Sequence, residues 1–494
     1  MERLDESTMA KMSLNDSRLL KQAGLIGGEW VTAEGLRQFE VENPANQALI
    51  ATVADLGAEQ THQAIAAADA ALKPWQALSP AQRSAYLERW HQLIAENKDD
   101  LALLMTLEQG KPLAESQGEV AYGNAYVKWF AEEAKRIYGD VLPSGSDRRS
   151  LVIKQGVGVV AAITPWNFPV AMITRKIAPA LAAGCTLVLK PAAETPLCAL
   201  ALGELAIRAG IPSGVINIVP STQAVEVGQA MCDSKVVKKL TFTGSTRVGK
   251  ILMAQCAATV KRTSMELGGN APVIVFDDAD IDQALVGVLA SKYRNSGQTC
   301  ICANRILVQA GIYDEFSKRL TAAVAQFNLG NGVDDGVTHG PVISTAAAQS
   351  IDTKVKAALE QGAKALIGGQ VSSLGAQFYE PTVMTGVTPD MAIAKEETFG
   401  PVAPLIAFET EEEAVAMAND TDFGLAAYVY TQNMARSWRV AESLEYGMVG
   451  MNETAISSEV IPFGGVKESG QGREGSKYGL EDYLETKYIC MGGL

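Results

Sequence analysis

Histidine is scarce in this chain of 494 residues: His62, His91 and His339 are the only three. They are too dispersed for an HExxH or Cys/His zinc spacing, which argues against a metal centre written into the sequence. Positive charge is also in deficit, with 42 Lys and Arg against 56 Asp and Glu and a net charge of −14, so a cationic nucleic-acid binder is disfavoured. The seven cysteines (185, 198, 232, 256, 300, 302 and 490) are odd in number, sparse and mostly set in apolar runs. That pattern suits reduced thiols in a cytoplasmic protein better than a disulfide framework. A clean membrane span is missing too. Residues 156–174 carry no formal charge but hold Pro165, Asn167 and Pro169 in their middle, and read as a buried strand, a turn and the start of a helix. The opening MERLDESTMAKMSLNDSRLLK has no apolar core and reads as neither a secretory signal nor a transit peptide, with residues 1–19 a flexible arm.

What is present is an ordinary globular composition, 47% hydrophobic and 20% charged, at a length that implies two or three domains. Residues 58–137 have a helical pattern, punctuated by Ser79-Pro80, a cap followed by proline at the first helical position. The pattern then turns extended and β-branched in LVIKQGVGVVAAIT (151–164). Short apolar strands at 186–190, 215–219 and 238–244 next alternate with helices over 195–209 and near 223–231. A second series runs from PVIVF (272–276) to about residue 480, with helices near 280–295, 312–326 and 344–361. Strands spaced by helices of this length predict an α/β fold of doubly wound parallel sheets, because parallel strands need crossover connections. The segment YLETKYICMGG alternates like an edge strand free to pair.

Two glycine motifs mislead. Gly470-Gln-Gly472-Arg-Glu-Gly475 matches GxGxxG, but no apolar strand enters it and too little chain follows for a βαβ unit. Gly244 to Lys250 matches a phosphate loop up to Ile251, where a Ser or Thr would hold magnesium. A P-loop-like NTPase is therefore a remote alternative. Gly244 still follows a strand and opens a helix, a geometry suited to an anion such as a pyrophosphate.

Four peptides carry a stronger message: PWNFP (165–169), MELGGNAP (265–272), GQTCIC (297–302) and EETFGP (396–401). Together, in this order and spacing, they make the chain resemble the NAD(P)-dependent aldehyde dehydrogenases from about residue 25 to its end. The chemistry accounts for the residue types. Hydride can leave an aldehyde only after a nucleophile has made its carbon tetrahedral, and a thiolate does this at neutral pH better than a hydroxyl. The resemblance makes Cys300 that nucleophile. It makes Asn167 and the Cys300 N–H the oxyanion donors, and Glu266 the base for thioester hydrolysis.

The same resemblance assigns Lys190 to the adenosine ribose, Gly244 and Ser245 to the pyrophosphate and Glu397 to the nicotinamide ribose. Thr164, Trp166, Ala192, Ala193, Gly249, Leu267 and Phe399 lie beside the cofactor. Ala193 stands where NAD-preferring relatives often place a glutamate, with the acid here at Glu194, so NAD and NADP are both plausible. A substrate carboxylate would need a cationic anchor. Arg175, Arg294 and Ser457 (or Ser458) occupy positions that, with the tail from Arg473, resemble the succinate-semialdehyde branch of the family. Glutarate semialdehyde is the nearest alternative, since one CH₂ changes discrimination by only about 1–3 kcal/mol. Cys302, two residues from Cys300, is a candidate disulfide partner or a packed small residue. A retired, non-catalytic scaffold is the remaining reading.

The resemblance divides the chain into a cofactor domain (20–135 and 157–267), a catalytic domain (268–481) and a bridging β element (136–156 and 482–494). It implies a homodimer or homotetramer.

Overall fold

The computed structural model describes residues 13–32, 35 and 37–494. Four helices, Ala58–Ala77, Pro80–Glu96, Lys98–Gln109 and Leu113–Glu133, fill the region of helical pattern. Ser79 starts the second as expected: its hydroxyl accepts from the Gln82 N–H while the Gln82 side chain returns to the Ser79 N–H.

The first large sheet has a parallel core of five strands, spatially Arg262–Glu266, Val237–Thr243, Val159–Ile163, Thr186–Lys190 and Ile216–Ile218. Numbered along the chain this is the order 5-4-1-2-3, a doubly wound sheet whose direction of winding reverses between Val159–Ile163 and Val237–Thr243. Such a reversal leaves a crevice at the carboxyl ends of the two strands. The uncharged stretch 156–174 supplies the strand Val159–Ile163, the turn and the start of the helix Ala171–Ala182. No helix among the described residues is long and apolar enough to cross a membrane.

The second sheet runs Lys364–Ile367, Thr382–Thr385, Val402–Phe408, Ala303–Gln309, Ala271–Val275, Ala426–Tyr430, Met448–Met451, parallel except for its first strand. Its near-continuous apolar strands, such as the fully buried Ala271–Val275, are what a parallel sheet covered on both faces requires. A third, antiparallel sheet joins Asp140–Leu142, Arg148–Gly156 and Leu484–Gly492, the last in register from Leu484 against Gly156 to Gly492 against Arg148.

Two sequence expectations are corrected. Of the arm 1–19, residues 1–12 lie outside the described ones, but 13–19 are tied down. Asn15 and Asp16 donate their N–H groups to the Asp100 carboxylate at 2.8 Å, Asp16 pairs with Arg208 at 2.6 Å, and Leu19 is fully buried. The sequence hides this because the anchoring carboxylate is 85 residues away. The segment placed in the second domain also contributes to the first: Gly470–Gln471 pairs antiparallel with Met265 and Glu266. The literal GxGxxG is thus a sheet extension.

Candidate active site

The crevice at the winding reversal holds a cavity of about 200 Å³. Pro165, Trp166 and Asn167 come from the loop after Val159–Ile163, and Thr243, Gly244 and Ser245 from the end of Val237–Thr243 and the helix Thr246–Ala257 that follows. Leu267 and Gly268 belong to the short link into the second sheet. Cys300, Glu397 and Phe399 close the far wall. The carboxyl edge of one sheet therefore faces the amino edge of the other, where Cys300 precedes Ala303–Gln309.

The loop before Cys300 is held in an unusual backbone. Asn295, Ser296 and Gly297 have φ of 50°, 53° and 75°, three successive residues in the left-handed region. Surrounding bonds fix them: the Asn295 N–H donates to Glu115 at 2.9 Å, Ser296 Oγ to the Gly340 carbonyl at 2.8 Å, and Gln298 Oε1 accepts from the Ile343 N–H at 2.9 Å. Gly269 must be glycine, since a Cβ there would lie 2.3 Å from the Cys300 carbonyl oxygen. Cys300 is half-buried, and its enclosure pushes the thiol pKa up to about 12; the charge of Arg175 pulls it down, while Glu397 and Glu266 oppose ionisation.

Asn167 sits 3% exposed on the cavity wall. Its carbonyl accepts from Lys111 Nζ at 2.6 Å and from Asn295 Nδ2 at 2.9 Å; its own Nδ2 donates to the Gln298 carbonyl at 3.1 Å. Lys111 pairs with the buried Glu119, whose other oxygen accepts from the N–H groups of Val170 and Ala171 at 2.9 and 3.2 Å, at the start of the helix Ala171–Ala182. This buried pair thus aims the PWNFP loop. Sequence reading missed Lys111, Glu119, Asn295 and Gln298 as positioning groups, because no local pattern distinguishes a buried Lys and Glu from solvated ones.

Glu266 is the base the resemblance assigns. It closes its strand beside the cavity but does not line it: the carboxyl is buried, Oε2 has no partner, and Oε1 faces Gly464, where an added Cβ would come within 2.9 Å. Burial raises its pKa well above the carboxylate range and nearby Glu474 adds to this, against the lowering charges of Arg175, Lys176 and Arg473. Gly470–Gln471 pairs on this strand end, and Arg175, Lys176 and Glu474 form a buried ionic cluster that acts on the Glu266 carboxyl.

The residues suited to a dinucleotide cluster as follows. Ser245 caps the helix Thr246–Ala257, its side chain accepting from the Val248 N–H, so the helix start faces the crevice. Gly249 lets that helix approach Leu267, whose Cδ2 would be 2.4 Å from a Cβ. Trp166 and Phe399 meet edge to face at 5.6 Å. Glu397, pushed up to about 7 by burial, accepts from the Gly269 N–H at 3.0 Å. Lys190 is buried, its ammonium donating to the Pro191 carbonyl at 3.2 Å with no other hydrogen bond among the described residues, and burial lowers its pKa. Thr164 Oγ1 and Thr243 Oγ1 are buried hydroxyls without a partner. A capped helix start, orphan hydroxyls and a lysine without an acid partner fit a phosphate- and ribose-bearing cofactor. Ala192 directly precedes Ala193, which with Glu194 borders a separate groove. Lys250 turns outward to Glu468 at 2.6 Å, which removes the phosphate-loop lysine an NTPase needs.

At the substrate end, Arg294 is exposed with its guanidinium 4.9 Å from the Phe168 ring centre. Ser457 Oγ bonds the Tyr122 hydroxyl, and Tyr126 donates to the Ser458 carbonyl at 3.1 Å. Arg175 does not match a direct anchor. It is 1% exposed, paired with Glu474 at 2.8 Å and stacked on Phe463 at 3.9 Å, reaching Tyr122 only at 3.5 Å. Its charge acts from behind the site. Cys302 is likewise turned away: the thiol donates to the Lys292 carbonyl at 3.3 Å and is 1% exposed, so pairing with Cys300 requires the loop to rearrange.

The aldehyde dehydrogenase family matches residues 30–489. A glutarate-semialdehyde dehydrogenase of Pseudomonas aeruginosa is 56% identical over 484 residues, 98% of this chain and 100% of that one. The NADP(+) succinate-semialdehyde dehydrogenase GabD of Escherichia coli is 55% identical over 482 residues, 97% of this chain and 100% of that one. The crystal structure of a succinate-semialdehyde dehydrogenase from Burkholderia pseudomallei superimposes with a TM-score of 0.96 at 53% identity, covering 97% of this chain and 100% of that chain. This chain therefore belongs to the aldehyde dehydrogenase family, enzymes that oxidise aldehydes with NAD(P).

Proposed function

We propose that the protein oxidises a short semialdehyde bearing a distal carboxylate to the dicarboxylate, with succinate semialdehyde as first choice and glutarate semialdehyde as second. The observation that carries this reading is the exposed Arg294, its guanidinium over Phe168, six positions before a cysteine that lines the crevice at the winding reversal. The glutarate name of the Pseudomonas aeruginosa relative keeps the longer substrate in view.

In this reading Cys300 Sγ adds to the carbonyl carbon, and its proton leaves to solvent. The oxygen takes up negative charge beside Asn167 Nδ2 and the Cys300 N–H, donors already fixed before reaction, which is where such groups are most effective. NAD(P), when bound, supplies the hydride acceptor. Glu266, rotated toward the sulfur and deprotonated, takes a proton from water as that water attacks the thioester carbonyl; the Cys300 sulfur leaves and carboxylate forms. Gly244, Ser245 and Gly249 would admit the pyrophosphate, Lys190 and Glu397 the two riboses, and Thr164, Trp166, Ala192, Leu267 and Phe399 the remaining cofactor surface. Ala193 presents no carboxylate to repel a 2′-phosphate, so both NAD and NADP are accommodated.

The test is a steady-state panel of succinate semialdehyde, glutarate semialdehyde and butanal, each with NAD and NADP. Arg294→Leu is expected to raise KM for the two acids at least tenfold, as lost pairing to a carboxylate costs about 1.5–3 kcal/mol, and to leave butanal nearly unchanged. An equal loss on all three removes the anchor assignment.

We also propose that the chain assembles with copies of itself in the cytoplasm. The third sheet exposes Val141 (75%), Tyr488 (58%) and Met491 (46%) beside open strand edges, an apolar surface suited to burial. All seven cysteines are free, which fits a reducing compartment. Light scattering should give a mass of at least two chains; a single-chain mass at micromolar concentration rejects the assembly.

A further inference from the structure

Outside the active site, a cleft of about 790 Å³ lies between the first sheet and the third. Its wall carries Lys73, Arg83, Lys154, Lys235, Lys238 and Lys487, with Asp69 as the only acid. In a chain of net charge −14 this concentration of cations needs a reason. Among the described residues, only Lys154 has an ion-pair partner, Glu481 at 3.5 Å.

Arg83 is the telling member. It is 7% exposed, yet its guanidinium meets no carboxylate; Nε donates to the Ala182 carbonyl at 3.2 Å and one terminal nitrogen to the Leu78 carbonyl at 2.6 Å. Two carbonyls use part of the five-donor fork and leave its charge unbalanced. A buried cation without a counter-charge is costly, and burial pulls its pKa down. These bonds hold the fork rigid at the cleft wall, and the exposed Lys235 and Lys238 stand on the same wall, Lys238 Nζ donating to the Lys235 carbonyl at 2.9 Å.

The cleft lies at the amino ends of the parallel strands, lined by Val157–Val159, Gly184 and Val236. The cofactor crevice lies at their carboxyl ends, a strand of five residues or about 16 Å away. The two are separate sites.

We propose that this cleft binds a small polyvalent anion, with two or more phosphate or carboxylate groups bridging Arg83 to the Lys235–Lys238 side. Its volume and six cations exceed what one monovalent ion can engage, and charge-assisted bonds to a guanidinium fork favour phosphate or carboxylate.

Calorimetric titration of the full-length protein with inorganic triphosphate tests this. A saturable site is expected, one per chain, weakened at least tenfold in a Lys235→Gln/Lys238→Gln double variant and unaffected by saturating NADP. Both lysines are exposed, and wild-type aldehyde oxidation by the variant shows that it is folded. Arg83→Lys, which keeps the charge and loses the fork, is a second variant expected to weaken binding. Absence of saturable heat, binding undiminished in the double variant, or displacement by NADP each overturns the proposal. So does a change of oligomer mass in the double variant without triphosphate binding by the wild type, which would assign the cleft to a second copy of the chain.

Discussion

Replacing Cys300 by alanine is expected to lower aldehyde oxidation by about 10⁴-fold or more, since the hydride-yielding tetrahedral carbon cannot form without a covalent nucleophile. The change is small and the site is already half-open, so folding should be unaffected. Circular dichroism, melting temperature and NADP binding should match wild type while reduced cofactor fails to appear. Retention of even a tenth of the activity moves the nucleophile elsewhere. In the wild type, the enclosure that pushes the thiol up to about 12 also sets a pH signature. The free thiol is protonated at neutral pH, so its alkylation by iodoacetamide should accelerate as pH rises from 7 to 9, and should stop on substitution.

Replacing Glu266 by glutamine should separate the two halves of the reaction. In the proposed reaction adduct formation and hydride loss use Cys300 and Asn167, whereas thioester hydrolysis uses a base, and removing a positioned base costs about 10²–10⁴-fold. Rapid mixing should therefore show a burst of one reduced cofactor per site followed by slow turnover. A rate lowered without a burst would place Glu266 before the thioester. The pH sign follows from the structure: burial and Glu474 hold the Glu266 carboxyl well above the usual carboxylate range, so wild-type hydrolysis should climb with pH as that carboxyl ionises, and the glutamine variant should lose that limb. Once ionised, Glu266 opposes the Cys300 thiolate, so above that titration the glutamine variant should react with iodoacetamide faster than wild type at the same pH.

Much of this was legible in the chain itself. Apolar runs of strand length between amphipathic helices foretell parallel sheets, because only crossovers join parallel strands; TLVLK and KKLTFT need no tertiary knowledge to be placed. Cys300, Asn167 and Glu397 belong to short peptides whose joint spacing is specific, and the cavity holds all three together. Where a residue's neighbours lie close in sequence, or a motif travels as a block, the sequence suffices.

The tertiary structure decided the rest, and the physical reason is long-range pairing of charge. Arg175 and Arg294 are equally cationic on paper; Glu474, distant in sequence, buries the first while the second remains exposed. Asn167 is aimed by Lys111 and Glu119, groups that local patterning would leave in solvent. Glu266 is buried among Arg175, Lys176 and Glu474, and the Cys302 thiol donates to the Lys292 carbonyl instead of lining the cavity. Residue types set which chemistry is available, but which carboxylate meets which cation is settled only when the sheets close on one another.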